Sequence, residues 1–65
     1  MNNLMEMFKI RRLGIEIETM QNDGSFVDSE EKANDIIVSK NIAFAICVAL
    51  RAASNYKMDY YIEVV

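Results

Sequence analysis

Proline and histidine are absent from this sequence, cysteine occurs once and glycine twice. Without histidine, Ser/His and Cys/His nucleophilic chemistry and a Cys/His zinc site are excluded. The lone thiol, Cys47, has no partner for an internal disulfide. Charge of one sign does not accumulate either: the net charge is −3, and the basic residues are dispersed except for Lys9, Arg11 and Arg12. A general nucleic-acid surface is therefore not indicated. No apolar run is long enough to span a bilayer, since the longest, Ile42 to Leu50, falls well short of the ~20 residues required. The N-terminus carries Glu6 before any basic residue, unlike a secretory signal. The expectation is a soluble cytoplasmic protein.

What is present is a folding sequence, with 52% hydrophobic residues in 65. That length gives one domain, residues 1–65, which buries only about 60% of the surface its unfolded chain exposes. Small domains compensate with disulfides, a structural metal or oligomerisation. With the first excluded and no Cys/His metal site available, oligomerisation is the expected device.

From Leu13 to Thr19 the residues alternate, with Leu13, Ile15 and Ile17 on one face and Arg12, Gly14, Glu16 and Glu18 on the other. This is the period of a half-buried strand. Phe8 and Ile10 alternate on the opposite parity, which a bulge or a break near Leu13 to Gly14 would reconcile. Gln21 to Ser25, with its Asp-Gly step, is a turn, and Phe26 and Val27 form a short return strand. Asp28 as N-cap with Glu31 three residues on predicts a helix from about Glu30 to Ser54, closed by Asn55 in the left-handed conformation. Tyr56, Met58, Tyr60, Ile62 and Val64 alternate with Lys57, Asp59, Tyr61, Glu63 and Val65 as a last strand, antiparallel to the first. The expected fold is α+β, a ββαβ protomer whose three-stranded, mainly antiparallel sheet packs on one long helix.

Between Ile42 and Ala53 that helix is apolar almost all round. A helix of this kind must be covered all round, and one small sheet covers a single side. A second copy is the simplest cover, because two-fold dimers are the commonest assemblies. Ile42, Ala45, Ile46, Ala49 and Ala53 are the expected oligomer interface.

Few residues point to chemistry. On a continuous strand, Glu16 and Glu18 would place both carboxylates on one face roughly 6.5–7 Å apart, a spacing that holds Mg²⁺ with phosphate oxygens completing the shell. Their alternative role is the solvated face of an amphipathic strand. Arg11 and Arg12 would add phosphate recognition, or serve only to discourage edge pairing. Cys47, between Ile46 and Val48, reads as a small buried hydrophobe. Tyr61 and Glu63, on the face opposite Tyr60 and Ile62, are the expected contacts to a protein partner, because tyrosine gives large contact area at little entropic cost.

The stretch Arg11-Arg12-Leu13-Gly14-Ile15-Glu16-Ile17-Glu18 resembles the opening strand of carboxylate-amine ligases of the amidoligase type. The resemblance implies that Glu16 and Glu18 coordinate the metal bound to ATP. It ends at Glu18, and nothing after Thr19 supplies the nucleotide, amine and carboxylate sites of those far longer enzymes. The expectation is a non-enzymatic interaction module without a cofactor, a homo-oligomer binding a protein partner. Compact acidic proteins of this size include regulators and inhibitors of phage and mobile-element type, an analogy of size and fold. The alternatives are an oligomeric binder of a phosphate-bearing ligand or nucleotide with Mg²⁺ at Glu16 and Glu18, and an amidoligase-related fragment.

Overall fold

A computed structural model describes residues 6–28 and 34–65. Among these residues five strands and one helix follow in the order β1 (Met7–Leu13), β2 (Ile17–Met20), β3 (Phe26–Val27), β4 (Val38–Ser39), α1 (Lys40–Ala53) and β5 (Asp59–Val64). The fold is α+β, an antiparallel sheet with one helix, as expected. The strand count and the helix length differ from the ββαβ expectation.

β1 is the spine of the sheet. β5 pairs with it antiparallel from Phe8↔Val64 to Leu13↔Asp59, so the last strand lies beside the first, as the alternation implied. The opposite edge of β1 is shared. β2 takes the far end, Arg11↔Thr19 to Leu13↔Ile17, and β4 takes the near end, Met7↔Ser39 and Phe8↔Val38. The chain leading into β4 also holds β2, through Asn22 N–H to the Asn34 carbonyl (2.8 Å) and Ile36 N–H to the Met20 carbonyl (3.0 Å).

The first expected strand, Leu13 to Thr19, is two strands joined by a turn at Gly14, Ile15 and Glu16. Gly14 N–H donates to the Glu16 carbonyl at 3.2 Å, and Leu13 faces Ile17 across the ladder. Phe8 and Ile10 are the residues that enter the core, so their parity decides which face of β1 is inward. Leu13, Ile15 and Ile17 are exposed. The β2–β3 hairpin forms where the Asp-Gly step placed it. Gly24 sits at φ +92°, and Asp23 Oδ1 accepts from both the backbone N–H (2.9 Å) and the hydroxyl (2.7 Å) of Ser25. Those two bonds stabilise the carboxylate and hold the Asp23 pKa below its usual range.

The helix is shorter than its apolar pattern suggested. It begins after Ser39, not near Glu30; Glu30, Glu31 and the rest of 29–33 lie outside the described residues, as do Leu4 and Met5. Residues 35–39 are extended instead. Ile36, Ile37 and Val38 are β-branched and stiff at χ1, and an open edge of β1 and β2 lies beside them. Extended alternation sends Ile36 and Val38 to the core and Asp35 to the other face. The far end of the helix matches expectation. Tyr56 N–H bonds to the Arg51 carbonyl and Asn55 N–H to the Ala52 carbonyl, at 2.8 and 3.0 Å, the paired closure of a Schellman motif. Asn55 is left-handed at φ +59°. Tyr56 follows it at φ +62°, so Tyr56 belongs to the turn and β5 starts only at Asp59.

One side of the sheet and one side of α1 enclose the core. Phe8, Ile10, Ala43, Cys47 and Tyr60 are buried there, with Met20, Phe26, Ile36, Val38, Ile46, Leu50, Met58 and Ile62 packed around them. The rings of Phe26 and Tyr60 meet tilted, 5.7 Å between centroids. Cys47 is 3% exposed, and burial pushes its thiol pKa up, opposed only by the charge of Arg51. Its raised value favours folding below the ordinary thiol range, and that contribution is lost as pH rises through it. The native protein should therefore react with Ellman's reagent at pH 8 only as fast as it unfolds. A native rate near that of a free thiol would contradict this placement.

Candidate interaction surface

The expected metal pair does not share a strand. Glu16 lies in the β1–β2 turn, fully exposed, whereas Glu18 lies on β2. Glu18 points to the helix side of the sheet, where its Oε1 accepts from Arg12 Nε and Nη2, each at 2.7 Å. The guanidinium of Arg12 also covers the Phe26 ring at 4.5 Å from its centroid. Glu16 is instead drawn to Asp28: a hydrogen bond between the two carboxyls, then their like charge, raises the Glu16 pKa. Among the described residues no group of three or more His, Cys, Asp or Glu is placed to hold a metal.

Arg11 projects from the opposite face. Its Nε donates to Glu63 Oε1 at 2.7 Å and its Nη1 to Thr19 Oγ1 at 3.2 Å. Both arginines singled out for phosphate are thus engaged by protein groups. Around Arg11 the open face carries a polar network. Gln21 Nε2 donates to Asp35 Oδ1 (2.8 Å) and to the Thr19 carbonyl (3.1 Å). Lys9 Nζ stands 3.8 Å from Asp35 Oδ2. Thr19, Gln21 and Asp35 are all buried, and each has a partner, as buried polar groups must. Asp35→Ala would strip Gln21 and Lys9 of their shared acceptor at a cost of about 1–3 kcal/mol. Urea denaturation should show a lower midpoint for this variant, and an unchanged midpoint would mean that the network carries no stability.

This network escaped the sequence reading. Thr19 and Gln21 come from one segment and Asp35 from another, and the pattern around Asp35 reads as a helix. The signal available was Lys9 and Arg11 on a strand face whose cross-strand partner, through the last strand, carries Glu63.

Tyr61 and Glu63 do share the open face, directly opposite Arg11 and Lys9. Tyr61 is half-buried there, and Glu63 is held by Arg11. Glu18 does not join them, and Glu16 stands beyond the end of the ladder.

An uncovered apolar surface lies on α1. Phe44 is 60% exposed, Ile42 52% and Val48 46%, and Ala45, Ala49, Ala52 and Ala53 are exposed beside them. Of the expected interface residues, Ile42, Ala45, Ala49 and Ala53 are thus free of the core, whereas Ile46 packs into it. Phe44 and Val48 were not singled out beforehand, although their spacing of four residues places them on one flank. No described helix is long and apolar enough to cross a membrane. Compared with family models, with curated proteins and with solved structures, the chain matches none.

Proposed function

We propose that this chain is a non-enzymatic interaction module that self-associates through the exposed side of α1 and offers the open face of its sheet to a protein partner. The observation that carries the reading is the uncovered apolar surface of α1, centred on Phe44 and Val48. Large side chains scattered singly on a surface need no explanation, but a contiguous set on one helix marks an interaction site. A second copy is the occupant that explains how so small a core suffices, since among the described residues Ile10 alone of the large side chains is fully buried.

The partner-binding part rests on the other face. Tyr61 lies among Arg11, Glu63 and Thr19, a mixed polar and aromatic surface of the sort found at contacts between proteins. Beyond it, Leu13 and Ile17 stand exposed at the hairpin end, with Ile15 at its tip.

Dilution followed by NMR tests the self-association. Backbone resonances of Phe44, Ala45 and Val48 should shift between millimolar and micromolar protein while those of the β2–β3 hairpin stay fixed. Resonances that are unchanged throughout the series would remove the reading.

A further inference from the structure

Among the described residues the outer edge of β5 is a row of backbone groups that no strand pairs with. Val65 N–H donates to the Met7 carbonyl at 2.9 Å, and the register runs without a bulge from Phe8↔Val64 to Leu13↔Asp59. In an antiparallel ladder, bonded pairs alternate with pairs whose N–H and C=O point away. Tyr61 and Glu63 therefore bond to β1, while the backbone groups of Tyr60, Ile62 and Val64 point off the sheet. Among the described residues no second strand pairs with this edge. Proteins usually blunt such an edge with lysine, proline or a bulge, and β5, Asp59 to Val64, has none of these. Arg51 reaches this edge, donating from Nη2 (2.7 Å) and Nε (3.2 Å) to the Tyr60 carbonyl.

That contact also fixes which flank of α1 overhangs the edge. At 3.6 residues per turn, Phe44, Val48 and Arg51 lie along one flank, so the two most prominent uncovered side chains on it stand above the outer edge of β5. Edge and stripe form one continuous surface.

Resting on the self-association reading, we infer that two copies join β5 to β5 about a two-fold axis through Ile62, making one continuous antiparallel sheet with both helices on the same side. The sequence of β5 selects this register. It sets Ile62 against Ile62 of the second copy, Tyr60 against its Val64, and Tyr61 against its Glu63. Centring one residue earlier, on Tyr61, would oppose Asp59 to Glu63. Centring one residue later would oppose the two Glu63 carboxylates. Like charges directly across a ladder destabilise it. The chosen register forms about six backbone bonds, and the Tyr60 carbonyl accepts from the second copy while keeping Arg51, since it has two lone pairs. A ladder this short is marginal by itself. Burial of Phe44 and Val48 over the seam supplies the apolar area it lacks. In this geometry the seam uses the Phe44 flank of α1 and leaves Ile42, Ala49 and Ala53, on the other flank, outside it.

Amide hydrogen exchange of the intact chain, followed by NMR at low and high protein concentration, tests the arrangement. The amides of Ile62 and Val64 should slow by at least about tenfold at high concentration, while those of Tyr61 and Glu63, bonded within the chain, are protected at both. Val64→Pro removes an N–H that points off the sheet and costs no bond to β1, as edge strands allow. It should stay folded and become monomeric. A mass that rises with concentration while the Ile62 and Val64 amides exchange unchanged would overturn the β5 seam and leave self-association through α1 standing. So would a Val64→Pro protein that associates like the wild type. A monomer at every concentration would overturn both.

Discussion

Ile10→Ala should remove roughly half of the chain's folding stability and lower its urea midpoint sharply. Among the described residues Ile10 is the one large side chain with no exposed surface, and it sits mid-way along β1, the strand that β2, β4 and β5 all pair with. Truncating a buried isoleucine to alanine costs about 2–5 kcal/mol, the lost transfer energy plus the cavity left behind. A chain of this length has about 3–10 kcal/mol in total. Of the other core residues, Ala43 and Cys47 are small and fixed on a helix, so they close little of the gap. Circular dichroism and urea denaturation would read the effect. A variant retaining a cooperative transition near the wild-type midpoint would mean that the core is centred elsewhere.

Phe44→Glu should do the opposite, leaving the fold intact and abolishing self-association. Phe44 is mostly exposed and outside the core cluster, so the isolated chain loses little. Desolvating an unpaired carboxylate in an apolar seam costs several kcal/mol, and about 4 kcal/mol corresponds to roughly a thousandfold in the dissociation constant. Wild-type circular dichroism with a monomeric mass is the expected pair of results. A folded Phe44→Glu protein with undiminished association would place the seam elsewhere. Val48→Glu, one turn on, should behave in the same way, which guards against a local effect at Phe44.

Turn chemistry and the last strand were legible because their signals are local. Asp23-Gly24 demands a left-handed residue, and Asn55 ends a helix by the same tolerance. In β5 the inward set Tyr60 and Ile62 and the outward set Tyr61 and Glu63 follow from period two alone. The split of the first strand was half legible. Phe8 and Ile10 conflicted in parity with Ile15 and Ile17, and the conflict is resolved by a turn at Gly14, which exposes the second set. Pattern could not say which set would win, because that depends on where α1 lies.

The helix start was misread because Ile36 and Ile37 suit a helix face as well as a strand. What decides is the free edge of β1 and β2 beside them, a long-range fact. The candidate site suffered from the same limit. Glu16 and Glu18 form a pair only on an unbroken strand, and the Thr19, Gln21 and Asp35 network is assembled from segments that meet through tertiary pairing. The apolar excess of α1 was visible throughout, because composition alone shows that one small sheet cannot cover it. Which residues remain uncovered depended on Ile46 turning inward and Phe44 outward.

The native mass of the wild-type chain, measured by light scattering from about one to several hundred micromolar, bears most directly on self-association through α1. A mass rising to that of two chains over this range is the expected result. A single-chain mass at every concentration would contradict it.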